Sequence, residues 1–342
     1  MNITDLHRLP LVPIAISQQR PQFHFEAPKE PGNDLQDPSP SDTETPSSTT
    51  SGAANGSQDR ENTSRLTTAS PEVAQTFLNF LTQLQERGFF SGSGEDHLNL
   101  IPGAGVNGSD GDDHIAVGSA ASVNGGDGDD TIYAWSNSAI EGGNGDDFVS
   151  AWSQSRISGG DGNDRLSGWS QSRIEGGNGD DRIDAWSQSW VDGGDGNDNI
   201  AVWSDSYAAG GAGDDIISGW SGSVIDGGSG DDIISVRDDS EVTGGTGDDK
   251  ITVSGSGTVN YALGDGSDTI TARGTLAIRF DDSVAADSVQ VSYEGSTATI
   301  GFAGSEETIT VQRPAPDTAI TLSFADGTTR SLERGASESP IA

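Results

Sequence analysis

From Asn107 onward the apolar and polar positions repeat every 17 residues without a gap, in coils that begin at Asn107, Asn124, Glu141, Ser158, Glu175, Asp192, Ala209, Asp226 and Thr243. One coil reads Asn124-Gly-Gly-Asp-Gly-Asp-Asp-Thr-Ile-Tyr-Ala-Trp-Ser-Asn-Ser-Ala-Ile140. Within it Ile132, Ala134, Ser138 and Ile140 alternate with polar or aromatic residues. That is the period-two pattern of strands that bury one face. A fixed period of this length predicts a solenoid. The expected fold class is therefore all-β, a parallel β-roll or β-helix solenoid over 107–274. At roughly 4.8 Å per layer its repeats would make a rod on the order of 40 Å long.

The flanks follow other patterns. Residues 1–69 are rich in Pro, Ser, Thr, Gln and Asn. Such a segment buries too little apolar surface to offset its ordering entropy, and it reads as a disordered tail. Over 70–88, Ser70 and Pro71 suit a helix start. Val73, Phe77, Phe80, Leu81 and Leu84 recur at helical spacing, and Arg87-Gly88 suits a stop. This helix has two readings: a cover for the open end of the solenoid, or a docking helix for a partner.

Composition adds a constraint. The chain carries 54 acidic and 17 basic residues, a net charge of −37, with 31% apolar residues and 48 glycines. Between 107 and 259 there are 29 acids and 6 bases, so −23 of that charge lies in the coils. Such a charge resists compaction unless something neutralises it, and it argues against nucleic acid as a partner. With no Cys there is no disulfide framework or thiolate metal site, and four scattered His offer zinc little. No apolar run is long enough for a spanning helix.

The chemistry sits in the loop Gly-Gly-x-Gly-(Asp/Asn)-Asp-x-(Ile/Val/Leu) that opens each coil, with Ser109 replacing one glycine in the first. Glycines turn carbonyl oxygens inward around a tight bend. The second acid is always Asp: Asp113, Asp130, Asp147, Asp164, Asp181, Asp198, Asp215, Asp232 and Asp249. Stacked in a column, these carboxylates need counter-ions. Hard oxygen ligands favour Ca²⁺. The loop resembles the nonapeptide of the repeats-in-toxin (RTX) calcium-binding family. That resemblance covers 107–270 and implies calcium between neighbouring turns, folding on calcium, and export, with a type I route first. Only one half of each coil matches, because Ser stands where a second calcium Asp would be. One column of ions is thus expected. Asp268, in the loop Tyr261 to Ile270, looks like the closing repeat. Residues 275–332 resemble the β-rich domain that often follows such repeats.

The other half-coil carries Trp135, Trp152, Trp169, Trp186, Trp203 and Trp220 at one outward position. They could stack on one another along the rod. They could instead form a platform for sugar rings or a host surface, as exposed apolar patches often do. Catalysis is not expected, since neither a His-Glu-x-x-His nor a Gly-x-Ser-x-Gly motif occurs. A calcium-dependent polysaccharide lyase using Arg156, Arg165, Arg173 or Arg182 is a minor alternative. The main alternative is a type III effector whose tail and helix are the active part, with the solenoid as a structural cap.

Overall fold

A computed structural model describes residues 92–94, 96–313 and 319–332. The tail expected over 1–69 and the helix expected over 70–88 lie outside these residues.

Each coil forms two strands separated by two bends. Long strands run from Gly105–Asp110 through Ser240–Thr246, and short strands from His97–Leu100 through Lys250–Val253. Each strand pairs in parallel with its equivalent 17 residues away; Leu166, for example, lies between Val149 and Ile183. All long strands form one sheet of 14 strands and all short strands a second sheet of 14. The result is an all-β parallel solenoid of about eleven coils. Among the described residues there is no α-helix, and no helix long and apolar enough to cross a membrane.

The core is two side chains thick. From the short strands come Ile132, Val149, Leu166, Ile183, Ile200, Ile217, Ile234 and Ile251; from the long strands come Ile140, Ile157, Ile174, Val191, Ile225 and Val242. All are at most 4% exposed. Burying each such side chain contributes roughly 1.5–3 kcal/mol. A core this narrow puts the two bends close to the apolar column, so whatever stabilises a bend acts on every layer.

At both ends the two sheets extend beyond the nine glycine-aspartate coils. Pairing begins before Asn107: Gly92–Ser93 and His97–Leu100 already add a coil, with Asp96 one period before Asp113. At the other end, 275–332 is β-rich as expected, and its strands join the solenoid sheets. Leu276–Phe280 stacks on Gly257–Tyr261, and Thr308–Gln312 stacks on Asp268–Ala272, both in parallel. The chain then reverses. Val289–Glu294, Thr297–Phe302 and Thr329–Leu332 are antiparallel and finish the two sheets. Tyr261, Phe280, Phe302 and Phe324 fill this widened end, with ring centroids 5.1–6.1 Å apart.

Candidate metal-binding edge

The bend between each long strand and the following short strand holds the predicted aspartates. Asp113, Asp130, Asp147, Asp164, Asp181, Asp198, Asp215, Asp232, Asp249 and Asp268 all point inward and are only 1–3% exposed. Register explains the column: each stands 17 residues from its neighbour, except the last step of 19. The carboxylates are linked in one direction. The N–H of Asp113 donates to Asp130 Oδ1 at 2.8 Å, that of Asp164 to Asp181 Oδ1 at 2.7 Å, and that of Asp249 to Asp268 Oδ1 at 3.1 Å. Asp96 extends the chain of bonds, donating to Asp113 Oδ1 at 2.8 Å.

The second oxygen has no such partner. Oδ2 of the nine aspartates from Asp113 to Asp249 is buried without a hydrogen bond. It rests against the first glycine of its own loop. A Cβ at Gly125 would collide with both Asp130 Oδ2 and the carbonyl oxygen of Gly142 in the next coil, and Gly142, Gly159 and Gly193 repeat the arrangement. Two hard acceptor oxygens from adjoining coils thus converge on the space that glycine leaves.

Burial makes these groups resist ionisation. In the metal-free fold desolvation pushes Asp130, Asp164, Asp198 and Asp249 up to about 6. It pushes Asp147, Asp181, Asp215, Asp232 and Asp268 up to about 7. The backbone N–H bond opposes the shift in each case, and neighbouring carboxylates add to it. Near neutral pH these carboxyls stand between the protonated and ionised forms, and either a proton or a cation would relieve the cost of burying their charge.

The oxygens fit a hard cation. Among the described residues no three acidic or His side chains converge on one point. A cation here would be held by an aspartate carboxylate together with loop carbonyl oxygens and water, the ligand types of calcium rather than of zinc.

A second ladder on the same bend was not read from the sequence. The outer acid or amide of each loop accepts from the following coil: Asp129 N–H donates to Asp112 Oδ1 at 3.0 Å, Asp180 N–H to Asn163 Oδ1 at 2.7 Å, and Asp214 N–H to Asn197 Oδ1 at 2.7 Å. The signal was present. That position holds only Asp or Asn in all nine coils, residues whose short side chains carry an acceptor near the backbone. Asn serves there as well as Asp, so acceptance is what matters. The inner position never holds Asn.

The opposite bend carries the tryptophans. Trp135, Trp152, Trp169, Trp186, Trp203 and Trp220 project outward and stack in one column, with centroids 4.5–5.7 Å apart and ring planes within 5–16° of parallel. Their faces are therefore turned to one another. Arg237 covers the far end, 4.1 Å from the Trp220 ring. Gln154, Gln171 and Gln188 form an amide ladder at 3.1 and 3.2 Å in left-handed backbone conformations, φ 62–64°. Beneath them lie Ser138, Ser155, Ser172, Ser189, Ser206, Ser223 and Ser240, buried to within 0–4% exposure. Arg156 and Arg173 pair with Glu175 at 3.1 and 2.7 Å, and Arg182 with Asp184 at 3.6 Å, on the outer sheet faces.

No family model matches the chain, and no curated protein matches it in sequence.

Proposed function

We propose that this chain is an RTX-like solenoid that binds calcium along its aspartate edge and needs it to fold at neutral pH. The observation that carries this reading is the row of nine buried Oδ2 atoms without a donor. Asn at the inner position would keep the N–H bond and remove the charge. Its absence from all nine coils is what a cation ligand requires and a mere hydrogen-bond acceptor does not. Calcium would neutralise part of the −37 charge and tie each coil to the next. A protein that folds on calcium suits a calcium-rich exterior, and we read it as an exported, non-enzymatic surface-interaction module.

The tryptophan column belongs first to stability in this proposal. Its ring faces are used by its own neighbours, so a carbohydrate or host-surface ligand would meet indole edges and the Gln ladder. Calcium counting by native mass measurement tests the reading. Close to nine ions per chain are expected, one for each orphaned oxygen. About twice that number would show that the serine edge binds metal as well.

A further inference from the structure

His97 and His114 look scattered in the sequence, yet they stand one period of 17 residues apart. The solenoid makes them direct neighbours on adjacent short strands, His97–Leu100 and His114–Val117, in parallel register. Both side chains are exposed on the outer sheet face. Their ring centroids are 5.7 Å apart, with planes at 70°. Tyr133 of the next coil packs edge-on against His114 at 5.8 Å and limits where that ring can swing.

We propose that His97 and His114 form a two-imidazole site for a borderline transition-metal ion such as zinc, which staples the first coil to the second. A ring nitrogen binds zinc at about 2.0–2.1 Å, which places two ring centroids on one tetrahedral ion about 5 Å apart. The observed separation is within a small side-chain rotation of that. Imidazole prefers such ions, whereas calcium takes oxygen, so the two metals do not compete for this pair. No third His or carboxylate converges with the pair among the described residues, so water completes the coordination. The acidic surface raises the local concentration of divalent cations and favours capture.

The position gives the site its consequence. Among the described residues the first coil is held to its neighbour by the two-residue strand Gly92–Ser93, the four-residue strand His97–Leu100 and the Asp96 N–H bond to Asp113. A terminal coil with so few pairs opens locally before the rest of a repeat array. An ion shared between His97 and His114 must be released before that coil can open.

The test is a zinc titration of the full chain in excess calcium, which keeps hard-oxygen sites filled. One zinc per chain is expected, with that step lost in His97→Gln and in His114→Gln and retained when His7 and His24 are both replaced by Gln. Amide exchange over 97–100 should slow about a hundredfold at zinc a hundred times its dissociation constant. Both substitutions fall on exposed positions of formed strands. The proposal is overturned if the step survives either single variant, vanishes in the double variant, or never appears. Because the readout is a nitrogen site, it stands or falls separately from calcium at the aspartates.

Discussion

In the same pair of coils, the N–H of Asp164 donates to Asp181 Oδ1 at 2.7 Å on one edge, and the N–H of Ser172 donates to Ser189 Oγ at 3.2 Å on the other. Both bends thus use a side-chain oxygen from the next coil to satisfy a buried backbone donor. They differ in what remains. The serine hydroxyl has its own proton to give, and in Ser138, Ser189, Ser206, Ser223 and Ser240 it reaches a tryptophan carbonyl at 2.8–3.5 Å. The ionised carboxylate has a second oxygen and no proton of its own to give, and that oxygen is buried without a partner. One edge is complete in itself. The other is complete only with a proton or a cation, and leaving it unpaired costs several kcal/mol per ion.

Substitutions in one coil separate the two edges. Asp181→Ala should have the largest effect, because it removes the acceptor for the Asp164 N–H, itself worth about 1–3 kcal/mol, together with a cation ligand. In a calcium titration followed by circular dichroism its midpoint should rise well above that of Asp113→Ala. A central loss disturbs couplings on both sides, while a loss near the end has fewer coils to disturb. Equal midpoints would count against coupled sites.

Acidity should act on the aspartate edge and not on the serine edge. With no metal bound, burial holds the column carboxyls from Asp130 to Asp268 up at about 6–7 in the folded chain, against about 4 when unfolded. The folded chain holds more protons, so this contribution is fully present below about pH 4 and is lost as pH rises through 6–7. The circular dichroism β signal of the protein in chelator should fall from pH 5 to pH 8. Calcium should abolish that fall. A metal-free protein more stable at pH 8 than at pH 5 would reverse the sign and refute the assignment.

On the serine edge, Trp186→Ala breaks two stacked pairs, with centroids 4.9 and 4.8 Å apart. At roughly 0.5–1.5 kcal/mol per pair, it should lower stability by about 1–3 kcal/mol. Calcium stoichiometry should not change. Unaltered stability with loss of attachment to a polysaccharide would instead make the column a ligand surface.

The smallest effect belongs to the outer ladder. Asp146→Asn keeps the acceptor for the Asn163 N–H, now at 2.7 Å, and should change thermal stability by no more than about 0.5 kcal/mol. A large loss would mean that this column, too, is needed for its charge.

Much of this was legible because the repeat does the folding. A period of 17 with Ile132, Ala134 and Ile140 inward sets strand register in every coil, and register alone places the aspartates, serines and tryptophans in columns. What escaped reading lies where the period or the motif breaks. The coil before Asn107 lacks the Gly-Gly pair, leaving only Gly92-Ser-Gly94 and Asp96 as a sign. In the closing coils the step lengthens to 19, as from Lys250 to Thr269, and the hairpin of Val289–Glu294 and Thr297–Phe302 is inserted before Thr308–Gln312 resumes the stack. No periodicity shows that those strands share the solenoid sheets. The outer ladder is hidden in sequence by the mixture of Asp and Asn, which differ in charge. Hydrogen-bond geometry shows that both supply the same acceptor. The orphaned oxygen could not be seen in sequence at all, since it depends on which of two carboxylate oxygens meets a backbone N–H.

We propose that the aspartate edge is incomplete at neutral pH without a cation. Circular dichroism of the full chain at pH 8 tests it most directly, first in excess chelator and then through a calcium titration. The expected result is loss of the β signal in chelator and its cooperative return over roughly 10⁻⁴–10⁻³ M calcium, the range of extracellular calcium modules. A β signal that excess chelator leaves unchanged at pH 8 would contradict it.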